Sequence, residues 1–238
     1  MISRTARSLM VATASLAAAH AAPALAAAPF GRSLFRTVRT VPAAGRVGLT
    51  FDDGPEEHAV DAFLETLEEL GVTATFFVVG EQVRRSPKAA RKLVEAGHEI
   101  ACHGYLHRNH LFVPPGKTVA DLQTARDVIV GETGATLRHF RPPYGVFNAA
   151  SWTTARRLGW ERVLWSQWGR DWEADTTPQR IREQVMETLQ PRDIVLLHDA
   201  EAYSSAGSWR RTLAALEPIV SDLRARGLEP GPLGSLGA

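Results

Sequence analysis

The sequence predicts a parallel α/β protein, built either as a barrel or as an open sheet. Three observations predict it. Short β-rich runs alternate with longer helix-like segments, most of those runs are largely apolar, and the helical segments carry start and stop signals. Apolar strands are those covered on both faces, as parallel strands between helices are.

Taken in chain order, the strand runs are Val47 to Phe51, Ala74 to Val79, Glu99 to Cys102, Leu137 to Phe140, Arg162 to Trp165 and Ile194 to Leu197. Between and after them lie amphipathic segments: Val60 to Leu70, Pro87 to Ala96, Val119 to Glu132, Ala149 to Leu158, Pro178 to Leu189 and Trp209 to Arg226. Two of these open with Ser86-Pro87 and Thr177-Pro178, a capping oxygen followed by a proline at a position where no N–H is needed. Three close on Gly71, Gly97 and Gly159, suited to the left-handed residue that stops a helix.

The amino terminus stands apart. Arg4 and Arg7 precede an Ala-rich apolar stretch from Ser8 to Ala26 that ends in small residues, the pattern of a secretory signal peptide. Ser15, His20 and Pro23 weaken it as a permanent span, so cleavage near Ala26 or Ala28 and no stable membrane anchor are expected. Residues 1–28 then form the signal peptide, 29–45 an irregular linker, and 46–238 one catalytic-size domain. With 45% hydrophobic and 22% charged residues the chain has a globular profile. Its formal charge of +1, or −1 once the two arginines leave, gives no reason to expect nucleic acid as a partner. A single cysteine, Cys102, excludes an internal disulfide. It reads as a small buried residue more readily than as a thiol nucleophile or metal ligand.

Polar residues gather where the predicted strands end. The first strand delivers Asp52 and Asp53 in "TFDDGP", the third His103 and His107 in "HGYLH", the fourth Arg141 in "RPPYG"; Asp171 follows the fifth, and the sixth delivers His198. In parallel α/β barrels this edge is where sites are built. Two imidazoles four residues apart can chelate a divalent ion with a carboxylate from a neighbouring strand, although the pair alone fits surface histidines equally well. One of the adjacent carboxylates can bind the metal while the other takes a proton from water; neighbours in extended chain point to opposite sides, which would separate the two tasks. Pro142 and Pro143 present Arg141 rigidly, suited to a bidentate brace on the base or to an ordinary surface position. His198 is a candidate general acid, with Asp171 holding its tautomer; a satisfied core histidine and a helix-capping aspartate are the alternatives. His58 and His110 have no comparable spacing.

In this order "TFDDGP", "HGYLH", "RPPYG", "RDW" and "VLLHD" resemble the polysaccharide deacetylases with a NodB-homology domain, family four of the carbohydrate esterases. The resemblance runs from Arg46 to about Gly227. It implies a distorted (β/α) barrel and a metal-dependent hydrolase that removes N-acetyl or O-acetyl groups from sugars. Asp52 matches the family's base, and Asp53, His103 and His107 its metal triad, filled by zinc or by another divalent ion such as cobalt or manganese. Arg141 matches the residue bracing the base, Asp171 the partner of the acid, and His198 the acid. Tyr144 matches the position whose backbone N–H helps hold the oxyanion, while Leu196 and Trp172 match groove residues. Three positions depart from the pattern: Cys102, Gly104 and Arg108 stand where Asn, Ser or Thr, and Pro are common. A lost hydroxyl beside the first metal histidine is expected to loosen that loop.

The expected function is therefore a secreted, monomeric deacetylase of N-acetylglucosamine-containing glycans, of chitooligosaccharide or peptidoglycan type. An acetylxylan esterase and a non-catalytic glycan-binding protein on the same scaffold are the alternatives. Trp168, Trp172 and Tyr203 are candidates for stacking on sugar rings, or for core packing.

Overall fold

The computed structural model describes residues 4–234. A leading helix, α1 (Arg4–Ala21), precedes the domain; the window Met10–Ala27 is long and apolar enough to cross a membrane, with a mean hydropathy of 1.4. The domain then alternates as expected. First come β1 (Arg46–Asp52), α2 (Glu57–Glu69), β2 (Thr75–Val78), α3 (Gly80–Arg85), α4 (Pro87–Glu95) and β3 (Glu99–Cys102). The middle is α5 (Pro115–Thr133), β4 (His139–Phe140), α6 (Ala149–Arg157), β5 (Glu161–Arg162) and β6 (Gln167–Trp168). The chain ends with α7 (Pro178–Met186), β7 (Ile194–His198), α8 (Ser208–Ala225) and β8 (Glu229–Gly231).

All strand pairs are parallel, in the order β5-β4-β3-β2-β1-β7-β6, with β8 lying beside β1. This is the parallel, curled sheet of a distorted (β/α) barrel. Its two faces follow the strand period of two. On β2, Phe76 and Val78 join the large core beneath the helices, whereas Phe77 joins the smaller inner core with Val41, Ala101, Val163, Ile194 and Leu233. Ala59, Val60, Phe63 and Leu67 recur at helical spacing along α2, and Phe63 packs edge-on to Phe51 with ring centroids 5.3 Å apart.

The local signals are mostly realised. Gly71, Gly97 and Gly159 take φ of 64°, 81° and 75°, as helix stops require. Thr177 accepts the Arg180 N–H at 3.2 Å to start α7, but Ser86 caps nothing with its hydroxyl and α4 relies on Pro87 alone. Asn148 and Ser151 close a reciprocal capping box at the head of α6.

Two expectations need correction. The run from Arg162 to Trp165 is not one strand: regular pairing covers Glu161–Arg162, and a second short strand follows at Gln167–Trp168. Part of the expected linker is also tied into the sheet. Val38 bridges Val163, Thr40 bridges Asp193, and the Val41 N–H donates to the Arg192 carbonyl at 2.8 Å. These pairings span only a few residues, too few for any periodicity to show in the sequence. They fasten a strap across the seam between the two edges of the sheet.

Candidate active site

Strand register brings the predicted residues together. Asp52 on β1 is paired with His198 on β7, and Cys102 on β3 with Phe140 on β4, so that His103 and Arg141 leave neighbouring strands side by side. They open onto a cavity of about 260 Å³ whose walls include Asp52, Asp53, His103, His107, Tyr144, Trp172, Leu196 and His198.

The two aspartates are not separated by strand alternation. Asp53 has left the extended conformation, with φ of 84°, and both carboxylates face the same cavity. Asp52 Oδ2 lies 3.6 Å, and Asp53 Oδ1 3.5 Å, from His103 Nε2. What separates them is their other contacts. Arg141, fully buried, donates from Nη1 to Asp52 Oδ1 at 2.5 Å and to Thr50 Oγ1 at 3.0 Å. The expected bidentate clamp is thus a single-nitrogen contact, with the guanidinium carbon lying 4.0 Å from the centre of the Phe77 ring. Asp53 turns instead to the imidazoles, with Oδ1 3.1 Å from His107 Nε2. Burial opposes its charge, but the His107 contact and the nearby His198 and His103 outweigh it and hold the carboxyl down at about 2.

Asp53, His103 and His107 offer three ligand atoms within 4.8 Å of one another. His103 Nδ1 is 2.7 Å from the Arg141 carbonyl oxygen, which can only accept; the proton therefore sits on Nδ1 and the Nε2 lone pair faces the aspartates. Burial lowers the His103 pKa to about 4, favouring the neutral imidazole that a metal needs. This donor set, one carboxylate and two neutral imidazoles around a common point, fits a divalent ion. A second group, Glu56, His58 and Glu201, lies outside the cavity, and its carboxylates already accept the backbone N–H groups of Glu201 and Gly207.

His198 is held from behind. Its Nδ1 is 2.8 Å from Asp171 Oδ1, and its own backbone N–H donates to Asp171 Oδ2 at 2.7 Å. Thr212 from α8 donates to the same Oδ2 at 2.7 Å. Burial works against the imidazolium, but Asp171, Asp53 and Asp52 overcome it and raise the pKa to about 10. His198 lines the cavity, with Nε2 3.9 Å from Asp53 Oδ2. Tyr144 sits in a tight turn with φ of 60° and stands on the rim, 60% exposed, with its ring 4.7 Å from that of His107. Leu196 is buried in the cavity wall, and Trp172 meets His198 edge-on at 5.4 Å.

Several contributors escape a reading by motif. Tyr203 stacks on His107 with ring centroids 4.2 Å apart and planes at 16°. Asp121 on α5 accepts the N–H groups of Tyr105 at 2.8 Å and Leu106 at 3.1 Å, so the loop with Gly104 in place of a hydroxyl residue is braced from a helix instead. Gly104 itself takes φ of 86°. Cys102 is fully buried, and burial pushes its thiol up to about 12, which suits a core residue and no chemistry. Asp199 accepts the Gly54 N–H at 3.1 Å, and burial together with Asp53 raises its pKa to about 8. Asp199 follows His198 directly, so proximity to the motif was its available signal.

That contact explains Gly54. A Cβ there would lie 2.0 Å from Asp199 Oδ2, so Gly54→Ala must displace either the turn or the carboxyl. Unfolding in urea should show a loss of about 1–3 kcal/mol, as expected of overpacking; unchanged stability would mean that the turn has room to move.

A buried carboxylate and two imidazoles beside a braced second carboxylate, with an aspartate-held histidine across the cavity, define a hydrolase-type site on a parallel α/β barrel. The polysaccharide deacetylase profile matches residues 39–163, and the chain belongs to that family. A chitooligosaccharide deacetylase of Bradyrhizobium is 35% identical over 80% of this chain and 90% of its own. A peptidoglycan-N-acetylglucosamine deacetylase of Bacillus cereus is 34% identical, covering 76% of this chain and 83% of that one. Among solved structures, a pseudoenzyme of the same carbohydrate esterase family from Bacillus anthracis aligns with a TM-score of 0.75 at 27% identity, over 83% of this chain and 67% of its own.

Proposed function

We propose that this chain is an exported, metal-dependent deacetylase acting on N-acetyl groups of N-acetylglucosamine-containing glycans. The observation that carries the reading is the convergence of Asp52, the Asp53–His103–His107 group and His198 on one cavity, the first held by Arg141 and the last by Asp171. The names of the two deacetylase relatives supply the substrate class, and the apolar α1 the route of export.

Asp53, His103 and His107 would hold the ion, most simply zinc, which when bound supplies Lewis acidity towards water and the acetyl carbonyl. Asp52 accepts a proton from the attacking water, its carboxylate held in place by Arg141. Tyr144 takes a positive φ in the turn at the rim of the cavity, and its N–H is the donor to the developing oxyanion. His198 delivers its Nε2 proton to the departing amine, while Asp171 keeps the other ring nitrogen protonated. Leu196 and Trp172 form an apolar wall for the acetyl methyl and the adjoining sugar face.

Acetate release from acetylated chitooligosaccharides, abolished by a chelator and restored by zinc, cobalt or manganese, is the expected result. Faster release from acetylxylan than from N-acetylglucosamine polymers would replace this reading by an O-acetyl esterase. Glycan binding without acetate release under any of these metals would place the chain with its Bacillus anthracis neighbour among pseudoenzymes. The brace behind the metal loop has its own expected effect: Asp121→Ala frees the Tyr105 and Leu106 N–H groups and should weaken zinc affinity about 10–100-fold in a competition titration. Unaltered affinity would assign Asp121 to folding alone.

A further inference from the structure

The two histidines proposed to hold the metal are fixed in different ways. His103 has the usual second contact of a ligating imidazole, with Nδ1 2.7 Å from the Arg141 carbonyl oxygen. For His107 that contact is missing: its Nδ1 is buried and has no hydrogen-bond partner among the described residues. What holds this ring is Tyr203, stacked on it with centroids 4.2 Å apart and planes at 16°. Tyr144 also meets it, at 4.7 Å, but tilted by 57° and from the exposed rim.

Tyr203 is itself fixed, and to the same loop. Gln82 on α3, buried, donates from Nε2 to the Tyr203 hydroxyl at 3.3 Å. The start of α3 in turn grips the histidine loop, the N–H groups of Gly80 and Glu81 donating to the Gly104 and Tyr105 carbonyls, both at 2.9 Å. The segment that carries Tyr203 is anchored on either side of it. The Glu201 N–H donates to Glu56 Oε2 at 2.8 Å, and the Ser205 N–H to the Trp172 carbonyl at 3.2 Å. A ring held in this way restricts rotation of the parallel imidazole about its Cβ–Cγ bond, the freedom that a hydrogen bond at Nδ1 would otherwise remove.

We infer that Tyr203 is a positioning residue for the metal: by stacking on His107 it sets the direction of Nε2, the task that the Arg141 carbonyl performs for His103. The inference rests on the metal-centre reading above and extends it to the loop between β7 and α8. Tyr203 also lines the active-site cavity, so one side chain serves both the metal ligand and the wall that a glycan meets.

The test is a zinc competition titration of the full chain against a chromophoric chelator, with the histidine ring signals followed by NMR in the metal-free and zinc-loaded states. Tyr203→Leu, which removes the ring but keeps an apolar side chain, should weaken zinc affinity about tenfold. Tyr203→Phe keeps the stack and loses only the Gln82 contact, so its affinity should stay within about twofold of the unmodified chain. The His107 ring protons should move downfield in Tyr203→Leu and stay in place in Tyr203→Phe, and Overhauser contacts between the two rings in the unmodified chain check the stack without any substitution. Unaltered zinc affinity in Tyr203→Leu would overturn the inference, and weaker glycan binding alongside it would make Tyr203 a sugar platform. An equal loss in Tyr203→Phe would assign the effect to the hydroxyl and overturn it too. No zinc uptake by the unmodified chain would overturn the metal-centre reading and this inference together, whereas uptake insensitive to Tyr203→Leu removes the inference alone.

Discussion

Asp52→Asn is expected to lower kcat about 10²–10⁴-fold, the range supplied by a positioned general base, while the protein still takes up one metal ion. The amide keeps an oxygen for Arg141 but can no longer accept a proton from water. It also leaves the Arg141 guanidinium, 0% exposed, without a neutralising charge. Removing one partner of a buried pair commonly costs about 3–5 kcal/mol, and the oxygen that remains should keep the loss below that range. Acetate release, metal analysis and urea unfolding on one preparation separate the two effects. Near-normal turnover would remove Asp52 from the role of base; turnover lost together with the metal would make it a ligand.

The second large effect is expected at Asp171. Both of its oxygens are acceptors: Oδ1 for the His198 ring, Oδ2 for the His198 backbone N–H and the Thr212 hydroxyl. Asp171→Asn must turn an NH2 towards one of these donors. The ring is then free to adopt the other tautomer, and kcat should fall by up to about 10⁴-fold with KM little altered. A merely structural residue would not move the pH profile. Here, loss of the carboxylate removes the main attraction that raises the His198 pKa, so the acid form is lost at lower pH and the alkaline limb of kcat shifts downward. An unchanged limb would contradict the assignment of His198 as acid.

The candidate residues at the ends of β1, β3, β4 and β7 were legible because each of those strands is recognisable from its own few residues and parallel strands deliver their ends to one edge, whereas Asp171 follows β6, which no such run marked. The register that sets Asp52 beside His198 then follows from β1 pairing with β7. Less legible was the geometry at the strand ends. Strand alternation predicted that Asp52 and Asp53 would diverge, but the left-handed backbone at Asp53 carries both into one cavity. Asp121 and Thr212 lie inside helices, and their sequence neighbourhood says nothing of the loop N–H groups or the carboxylate that fold against them. Cys102 and Gly104 were visible as departures. Their consequence depended on a neighbour from α5 that no local pattern identifies.

The strap across the sheet seam bears on the order in which this protein can be completed. Val41 accepts from the Arg192 side chain at 2.7 Å, across a separation of 151 residues. The strap is therefore made early, but its partners on Arg162, Leu164 and Arg192 arrive only in the last third of the chain. Closing so large a loop carries an entropic cost that must be met before the contact rewards it, so seam closure belongs late in folding. The sheet is thereby kept open, with the edge that carries the candidate site unfinished, until the segment up to Asp193 has joined it.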